Sequence, residues 1–203
     1  MNCEMPDRYR EKSHLQEEEH VDVAIVGAGA AGLFGAIWAG RNSEAYPIRI
    51  AVFDGAKKLG AKILIAGGGR CNVTHCRVTE HDFAGSSPAA IRKVLRRFSV
   101  AQTIQFFSDA GVELKEEETG KLFPVTDSAR TILNALIDQS KESHVAIVHP
   151  ARVAEVEHLP CDGAASELKK EPRFRVVVES GVVLARHVIV CTGGKSLPKS
   201  GSD

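Results

Sequence analysis

The chain of 203 residues is predicted to adopt an α/β fold built around a parallel sheet, and three observations predict it. First, the apolar, largely β-branched run Val21-Asp-Val-Ala-Ile-Val26 stops at a glycine. Second, the turn Gly27-Ala-Gly-Ala-Ala-Gly32 opens a helical stretch carrying Leu33, Ala36, Ile37 and Trp38. Third, another apolar run, Ile48-Arg-Ile-Ala-Val-Phe53, closes on an acid, Asp54. Strand, glycine turn, helix, strand is a βαβ unit, and near-continuous apolar strands suit a sheet covered on both faces.

Each element follows from its residues. The helix ends near Gly40-Arg41-Asn42, and Asn42 to Pro47 reads as a loop insertion. Gly60 to Thr74 holds Gly67-Gly68-Gly69 and is too glycine-rich for regular structure at its centre. Ile91, Val94, Leu95 and Phe98 then share one helical face, and Val100, Ile104 and Phe107 share another, with Gly111 ending that second helix. Leu114 to Glu117 and Lys121 to Phe123 read as a hairpin turning at Thr119-Gly120. Asp127 or Ser128 can cap a helix carrying Ile132, Leu133, Leu136 and Ile137. Strands follow at 145–148, 152–157, 174–179 and 182–190, with a polar loop from Cys161 to Pro172, and the last strand runs into Thr192-Gly193-Gly194.

Composition narrows the function classes. Apolar residues make up 43% of the chain, enough for a core, and 26 basic side chains balance 26 acidic ones. No global field draws it to nucleic acid or a membrane; only a local patch could. Residues 1–19 are polar and charged, without an apolar signal core, and read as a disordered tail ahead of one domain over 20–203. No run is long enough to span a bilayer. Cys3, Cys71, Cys76, Cys161 and Cys191 are an odd, scattered set, which argues for free thiols and a reducing, cytoplasmic location. The eight histidines are dispersed as well, with no zinc-ligand spacing, so no metal is expected.

The glycine turn carries the first chemistry. In a GxGxxG turn, Gly27 allows the tight bend, Gly29 lets main chain approach a pyrophosphate, and Gly32 lets helix pack on strand. The first N–H groups of the helix, at Ala30, Ala31 and Gly32, then face the anion with the helix dipole behind them. Asp54 can accept from the ribose hydroxyls of an adenosine, although it lies later than the roughly 20 residues usual for such an acid. The turn recognises an ADP group and leaves FAD and NAD undistinguished.

The second glycine cluster distinguishes them through a resemblance. Gly60-Ala-Lys-Ile-Leu-Ile-Ala-Gly-Gly-Gly-Arg-Cys-Asn-Val-Thr74 resembles the GxKxxxSGGGRCNxT signature of the BaiN/RdsA-type NAD(P)/FAD-dependent oxidoreductases. The opening Val23 to Leu33, Lys121-Leu-Phe-Pro-Val-Thr-Asp127 and Val190-Cys-Thr-Gly-Gly-Lys-Ser-Leu-Pro-Lys199 are similar to the same family, in family order. Ala66 stands where the family usually has Ser, His75 where Asn is common, and Asp54 where Glu is frequent.

The resemblance implies a Rossmann-like FAD/NAD(P)-binding domain of the glutathione-reductase type, with FAD as cofactor and NAD(P)H as electron donor. It implies a small-molecule or RNA-base acceptor with an unsaturated C=C bond. It also implies that Gly67, Gly68 and Gly69 wrap the pyrophosphate and ribityl chain and bring Arg70, Cys71 and Asn72 toward the flavin. Lys62 would support them from behind, main chain at Val153 would meet the adenine edge, and Thr192 and Gly193 would close on the cofactor. Alternatively, Arg70 and Asn72 stabilise their loop, Val153 is an ordinary strand valine, and Thr192 to Gly194 is a plain turn.

Cys71 and Cys76 have the C-x4-C spacing of flavin disulfide reductases, but the family motif already accounts for Cys71 and no proline follows Cys76. Gly193-Gly-Lys-Ser196 imitates a phosphate loop whose first glycine would fall on Ile189, which dismisses it. Arg92, Lys93, Arg96 and Arg97 form a basic helix face, either solvated or turned to RNA. Members of the family continue past the Thr-Gly-Gly-Lys element, so the chain is expected to be an N-terminal portion that binds FAD weakly or not at all alone. A non-catalytic nucleotide-binding remnant is the alternative, and no residue is assigned a catalytic role.

Overall fold

The computed structural model describes residues 19–43, 47–160 and 171–194. The tail over 1–18, Cys3, the middle of the insertion after Asn42, Cys161 with most of its loop, and everything from Lys195 on lie outside the described residues. The chain divides into two compact units, Met1–Leu59 with Ser140–Asp203, and Gly60–Gln139. In chain order the strands are β1 (Glu19–Val26), β2 (Ile50–Phe53), β3 (Thr74–His75), β4 (Leu114–Glu116), β5 (Lys121–Pro124), β6 (Val145–Val148), β7 (Val153–His158), β8 (Phe174–Val178) and β9 (Gly181–Val190). The helices are α1 (Ala30–Arg41), α2 (Ala61–Gly69), α3 (Pro88–Leu95), α4 (Val100–Asp109) and α5 (Ala129–Glu142).

The first unit is a six-stranded sheet in the order β6-β2-β1-β9-β8-β7. Its first four strands run parallel, with Val23 opposite both Ile50 of β2 and His187 of β9. β9, β8 and β7 are joined antiparallel. β2 is buried at all four positions, and Ala24 and Ile25 of β1 are fully enclosed, as expected of strands covered on both faces. Asp22 is a half-buried polar residue within the apolar run of β1. Its carboxylate accepts from the Arg49 main-chain N–H at 2.8 Å and from Arg186 Nη1 of β9 at 3.0 Å. α1 buries Gly32, Leu33, Ala36, Ile37 and Gly40, one stripe at helical spacing. Trp38 lies outside that stripe, and Arg41 stacks over its ring at 5.5 Å.

The βαβ unit stands where the sequence puts it. Glu19, assigned to the tail, instead opens β1, because its main chain pairs with Val183 of β9. β2 begins at Ile50 rather than Ile48.

The second unit holds a small antiparallel sheet, β3-β5-β4, with α4 packed near it. The hairpin turns at Gly120 as expected, where φ is +77° and an added Cβ would meet the His75 ring at 2.5 Å. Three elements here were not legible. α2 is helical from Ala61 before the glycines break it, β3 is two residues long, and a 3₁₀ turn at Glu80–Asp82 is closed by a Thr79 capping box. The apolar positions read onto α3 share a face, but that face is not buried. None of its residues is buried and Val94 is 70% exposed, since within this unit the helix leans chiefly on the short 3₁₀ turn. Among the described residues no helix is long and apolar enough to cross a membrane.

Candidate nucleotide-binding site

β1 delivers the chain into the turn, and the three glycines of that turn have different reasons to be glycine. Gly27 has φ +102°, donates its N–H to the Phe53 carbonyl at 2.7 Å, and would place a Cβ 2.5 Å from the Cys191 carbonyl oxygen. Gly32 would place a Cβ 1.8 Å from the Gly27 carbonyl oxygen. Both are dictated by packing inside the unit. Gly29 is different: its φ of −78° and ψ of −171° suit any residue, and an added Cβ meets nothing within 4 Å. Among the described residues nothing crowds this position, so packing does not require its missing side chain.

Gly29 is also the N-cap of α1, with no side-chain cap and no acid in the first turn. Leu33 is the first residue whose N–H finds a helical acceptor, the Gly29 carbonyl at 3.0 Å. Ala30 and Ala31 are exposed, so the opening N–H groups face outward beside the open space at Gly29. Together they carry about half a positive charge from the helix dipole. This is an anion cradle that a Cβ would fill, and it fits a pyrophosphate.

Asp54 leaves the end of β2 and reaches back to the turn. One carboxylate oxygen accepts the Ala28 N–H at 2.6 Å and the other accepts the Ala56 N–H at 2.8 Å. A carboxylate has about four lone-pair sites, so two stay available to hydroxyl donors. Main chain fixes the residue from both sides, because its N–H donates to Val148 at 3.2 Å and its carbonyl accepts from Ala151 at 2.7 Å. Val153 opens β7 two residues beyond Ala151. It is half-buried against the sheet's core, just before a register irregularity. Gly55 brings the two stretches close, since a Cβ there would sit 2.7 Å from Cβ of Arg152. Thr192 and Gly193 follow β9 and are exposed, with Cα of Thr192 3.3 Å from where a Gly27 Cβ would lie. The first unit thus gathers Gly27, Gly29, Ala30, Ala31, Gly32, Asp54, Thr192 and Gly193 at the C-terminal ends of its parallel strands, and sets Val153 beside the Asp54 loop. Ligands of open α/β sheets bind at that edge.

Sequence reasoning missed Ala28, Ala56, Ala151 and His149, whose ring nitrogen Nε2 meets the Ala56 carbonyl at 2.7 Å. Their contribution is main-chain or cross-loop, and no side-chain pattern announces it.

In the second unit, Lys62 lies in the first turn of α2 and is half-buried. Gly67, Gly68 and Gly69 take φ of +55°, +69° and +87°, a left-handed reversal that ends the helix. A Cβ on Gly67 would collide with the Asn72 nitrogen and the Phe123 ring, each at 2.9 Å, while a Cβ on Gly68 would meet nothing. Arg70 turns inward. Its guanidinium stacks on Phe123 at 4.1 Å, pairs with Glu117, and lies 3.8 Å from Asp127. This is the loop-stabilising alternative for Arg70. Asn72 is exposed, and the side chain of Cys71 is buried.

Cys71, Cys76 and Cys191 are free thiols. Burial pushes the Cys71 thiol up, as it does Cys191. A raised pKa withholds the thiolate on which dithiol exchange depends, so the environment of Cys71 opposes the disulfide-reductase reading.

A parallel-centred sheet with a glycine turn at the strand ends and an acid beyond the second strand defines a Rossmann-like domain, the nucleotide-binding type of α/β fold. The chain belongs to the HI0933-like family: the family model described as the HI0933-like protein Rossmann domain matches residues 21–203. It is 32% identical over 178 residues to a ribosomal RNA dihydrouridine synthase of Haemophilus influenzae, covering 88% of this chain and 41% of that protein. It is 29% identical over 182 residues to a 3-dehydro-bile acid delta(4,6)-reductase of Clostridium scindens, covering 89% of this chain and 41% of that protein. The chain therefore spans about two fifths of the length of these relatives.

Among solved structures it is similar in fold to a 3-ketosteroid-delta4-(5alpha)-dehydrogenase of Rhodococcus jostii. The TM-score is 0.59 at 15% identity, over 89% of this chain and 47% of that one. THI4 of Thermovibrio ammonificans matches with a TM-score of 0.57 at 14% identity, over 87% of this chain and 58% of that one. At such identities the likeness is one of fold.

Proposed function

We propose that this chain forms the nucleotide-binding portion of an FAD-dependent oxidoreductase that passes hydride from NAD(P)H to an unsaturated C=C acceptor, a ring-containing small molecule or an RNA base. One observation carries the proposal: the open space at Gly29, edged by uncapped N–H groups, where no described residue comes within 4 Å of an added Cβ and a bound pyrophosphate would use the room. The pyrophosphate sits against Gly29, Ala30, Ala31 and Gly32, and Asp54 takes the adenosine ribose hydroxyls on its remaining lone pairs. Main chain at Val153 borders the adenine, and Thr192 and Gly193 border the cofactor from β9.

In the second unit, taken by itself, the loop Gly67 to Asn72 is the cofactor-contacting element. Its exposed Gly68 and Asn72 offer main chain and an amide, while Arg70 holds the loop's shape. When bound, the flavin supplies two-electron chemistry, and the protein's part is to hold and orient it. The acceptor class is supported by the relatives' names, both of which describe hydrogen gained across a ring double bond. A cytoplasmic setting is supported by the free thiols of Cys71, Cys76 and Cys191.

The test is titration of FAD with the chain, followed by flavin fluorescence, in competition with ADP and with FMN. Weak saturable binding, displaced by ADP but not by FMN, is expected, because the cradle grips the ADP half. No ADP-sensitive binding up to about 1 mM, an affinity near 4 kcal/mol, would refute the proposal.

A further inference from the structure

α3 offers a surface that the flavin chemistry leaves unused. Ala89, Arg92, Lys93, Arg96 and Arg97 line a concavity of about 430 Å³. Their spacing (i, i+3, i+4, i+7, i+8) sets them on one stripe of the helix and its C-terminal cap. The stripe is about 12 Å long at ~1.5 Å per residue, long enough to meet more than one phosphate of a strand. All four cations are exposed.

Their partners differ. Glu80 engages Arg92 through both Nε, at 2.7 Å, and Nη2. Among the described residues Lys93, Arg96 and Arg97 have no carboxylate within 4 Å. Since the whole chain is neutral, with 26 charges of each sign, three uncompensated cations on one concave face are a local excess. Burial does not explain them either, as nothing on α3 is buried.

We infer that this stripe binds the phosphate backbone of single-stranded RNA, through Lys93, Arg96 and Arg97, without reading base sequence. The chemistry favours RNA over an anionic membrane. An interfacial helix must free its apolar face for insertion. Here Ile91, Leu95 and Phe98 are half-buried and Val94 alone of that face is fully exposed. Glu80 sets the strength of the site by occupying the fourth cation. The inference rests on the RNA-base arm of the proposed function for the class of polyanion and goes beyond it in naming the surface; cofactor binding is tested separately.

The experiment measures binding of the whole chain to a fluorescein-labelled single-stranded RNA of about 20 nucleotides by anisotropy between about 50 and 200 mM KCl, where backbone contacts set the salt slope. Each phosphate contact contributes a slope near −0.7 for a single strand. Lys93→Ala, Arg96→Ala and Arg97→Ala together should flatten the slope by about 2 and weaken binding about a hundredfold near 0.1 M salt. Glu80→Gln should do the reverse, freeing Arg92 and steepening the slope by about 0.7. This gain-of-binding variant keeps the test decisive if the triple variant folds poorly. Replacing the exposed Lys57 and Lys58 with Ala should change neither slope nor affinity. The inference fails if the wild type does not bind RNA, or if the triple variant keeps the wild-type slope. It also fails if Glu80→Gln weakens binding, or if vesicles containing phosphatidylserine bind through the three cations while RNA does not. ADP-sensitive FAD binding is expected unchanged in the triple variant, which separates failure here from failure of the flavin proposal.

Discussion

Substituting Gly29 and Gly32 one at a time separates what the fold needs from what a ligand needs. At Gly32 a Cβ would stand 1.8 Å from the Gly27 carbonyl oxygen, well inside the closest approach real Cβ atoms make, and the obstacle is backbone. Such overpacking costs typically 1–3 kcal/mol, and about 3 or more where main chain must move. Set against a total stability of roughly 5–15 kcal/mol, Gly32→Ala should lower the urea midpoint clearly. At Gly29 the same methyl meets nothing within 4 Å, and φ of −78° is open to alanine. Losing a glycine N-cap costs a few tenths to about 1 kcal/mol. The gain from a less flexible unfolded chain, about 0.4–1 kcal/mol, nearly offsets it.

Gly29→Ala and Gly29→Val should therefore fold like the wild type within about 0.5 kcal/mol, the spread of substitutions away from special features. Their ADP-sensitive FAD binding should fall at least about tenfold, or 1.4 kcal/mol, because the added carbon would take up the space proposed for the pyrophosphate. Urea unfolding and flavin fluorescence on the same samples read both quantities. A Gly29→Val protein that binds FAD as well as the wild type would refute the cradle, and one that unfolds would refute the claim that the space is open.

Asp54→Asn replaces one carboxylate oxygen with an NH2 group that cannot accept, so one of the Ala28 and Ala56 N–H groups loses its acceptor and unfolding should become easier by about 1–3 kcal/mol, measured in urea. At Asp22, burial alone would raise the carboxyl pKa, but the Arg49 N–H and the Arg186 guanidinium outweigh it and hold the group below its ordinary 3.8. A depressed folded-state pKa contributes stability above the unfolded value and loses it as pH falls through the folded one. Asp22→Asn should thus cost about 1 kcal/mol near neutral pH and flatten the acid limb below about pH 4, read as urea midpoints across pH. Because burial raises the Cys71 thiol, iodoacetamide should modify it slowly near neutral pH, with a rate that climbs only on the alkaline side. Rapid labelling of Cys71, or a Cys71–Cys76 disulfide after mild oxidation, would revive dithiol chemistry.

Much of the first unit was legible because its signals are local. Val21 to Val26 and Ile50 to Phe53 are apolar enough to be strands covered on both faces, and a glycine-spaced turn between strand and helix has few other uses. α3 shows the limit of such reading. Its apolar positions share a face, as periodicity says, but periodicity cannot say whether another element comes to cover that face, and Val94 is left exposed. α2 was obscured because three glycines mask a helical start at Ala61, and a two-residue strand such as β3 has no pattern of its own.

The amino-acid order alone settled the βαβ core, the phosphate-type turn and the acid after the second strand, since each rests on residue type and spacing along a few dozen positions. Tertiary structure decided how each of those residues is used. It separated Gly27 and Gly32, glycine because main chain crowds them, from Gly29, glycine with nothing beside it. It tied Asp54 to the N–H groups of Ala28 and Ala56, and turned Arg70 inward onto Phe123, Glu117 and Asp127. Those outcomes depend on residues far apart in the chain, and a one-dimensional pattern carries no record of which distant atoms will arrive within a few ångströms.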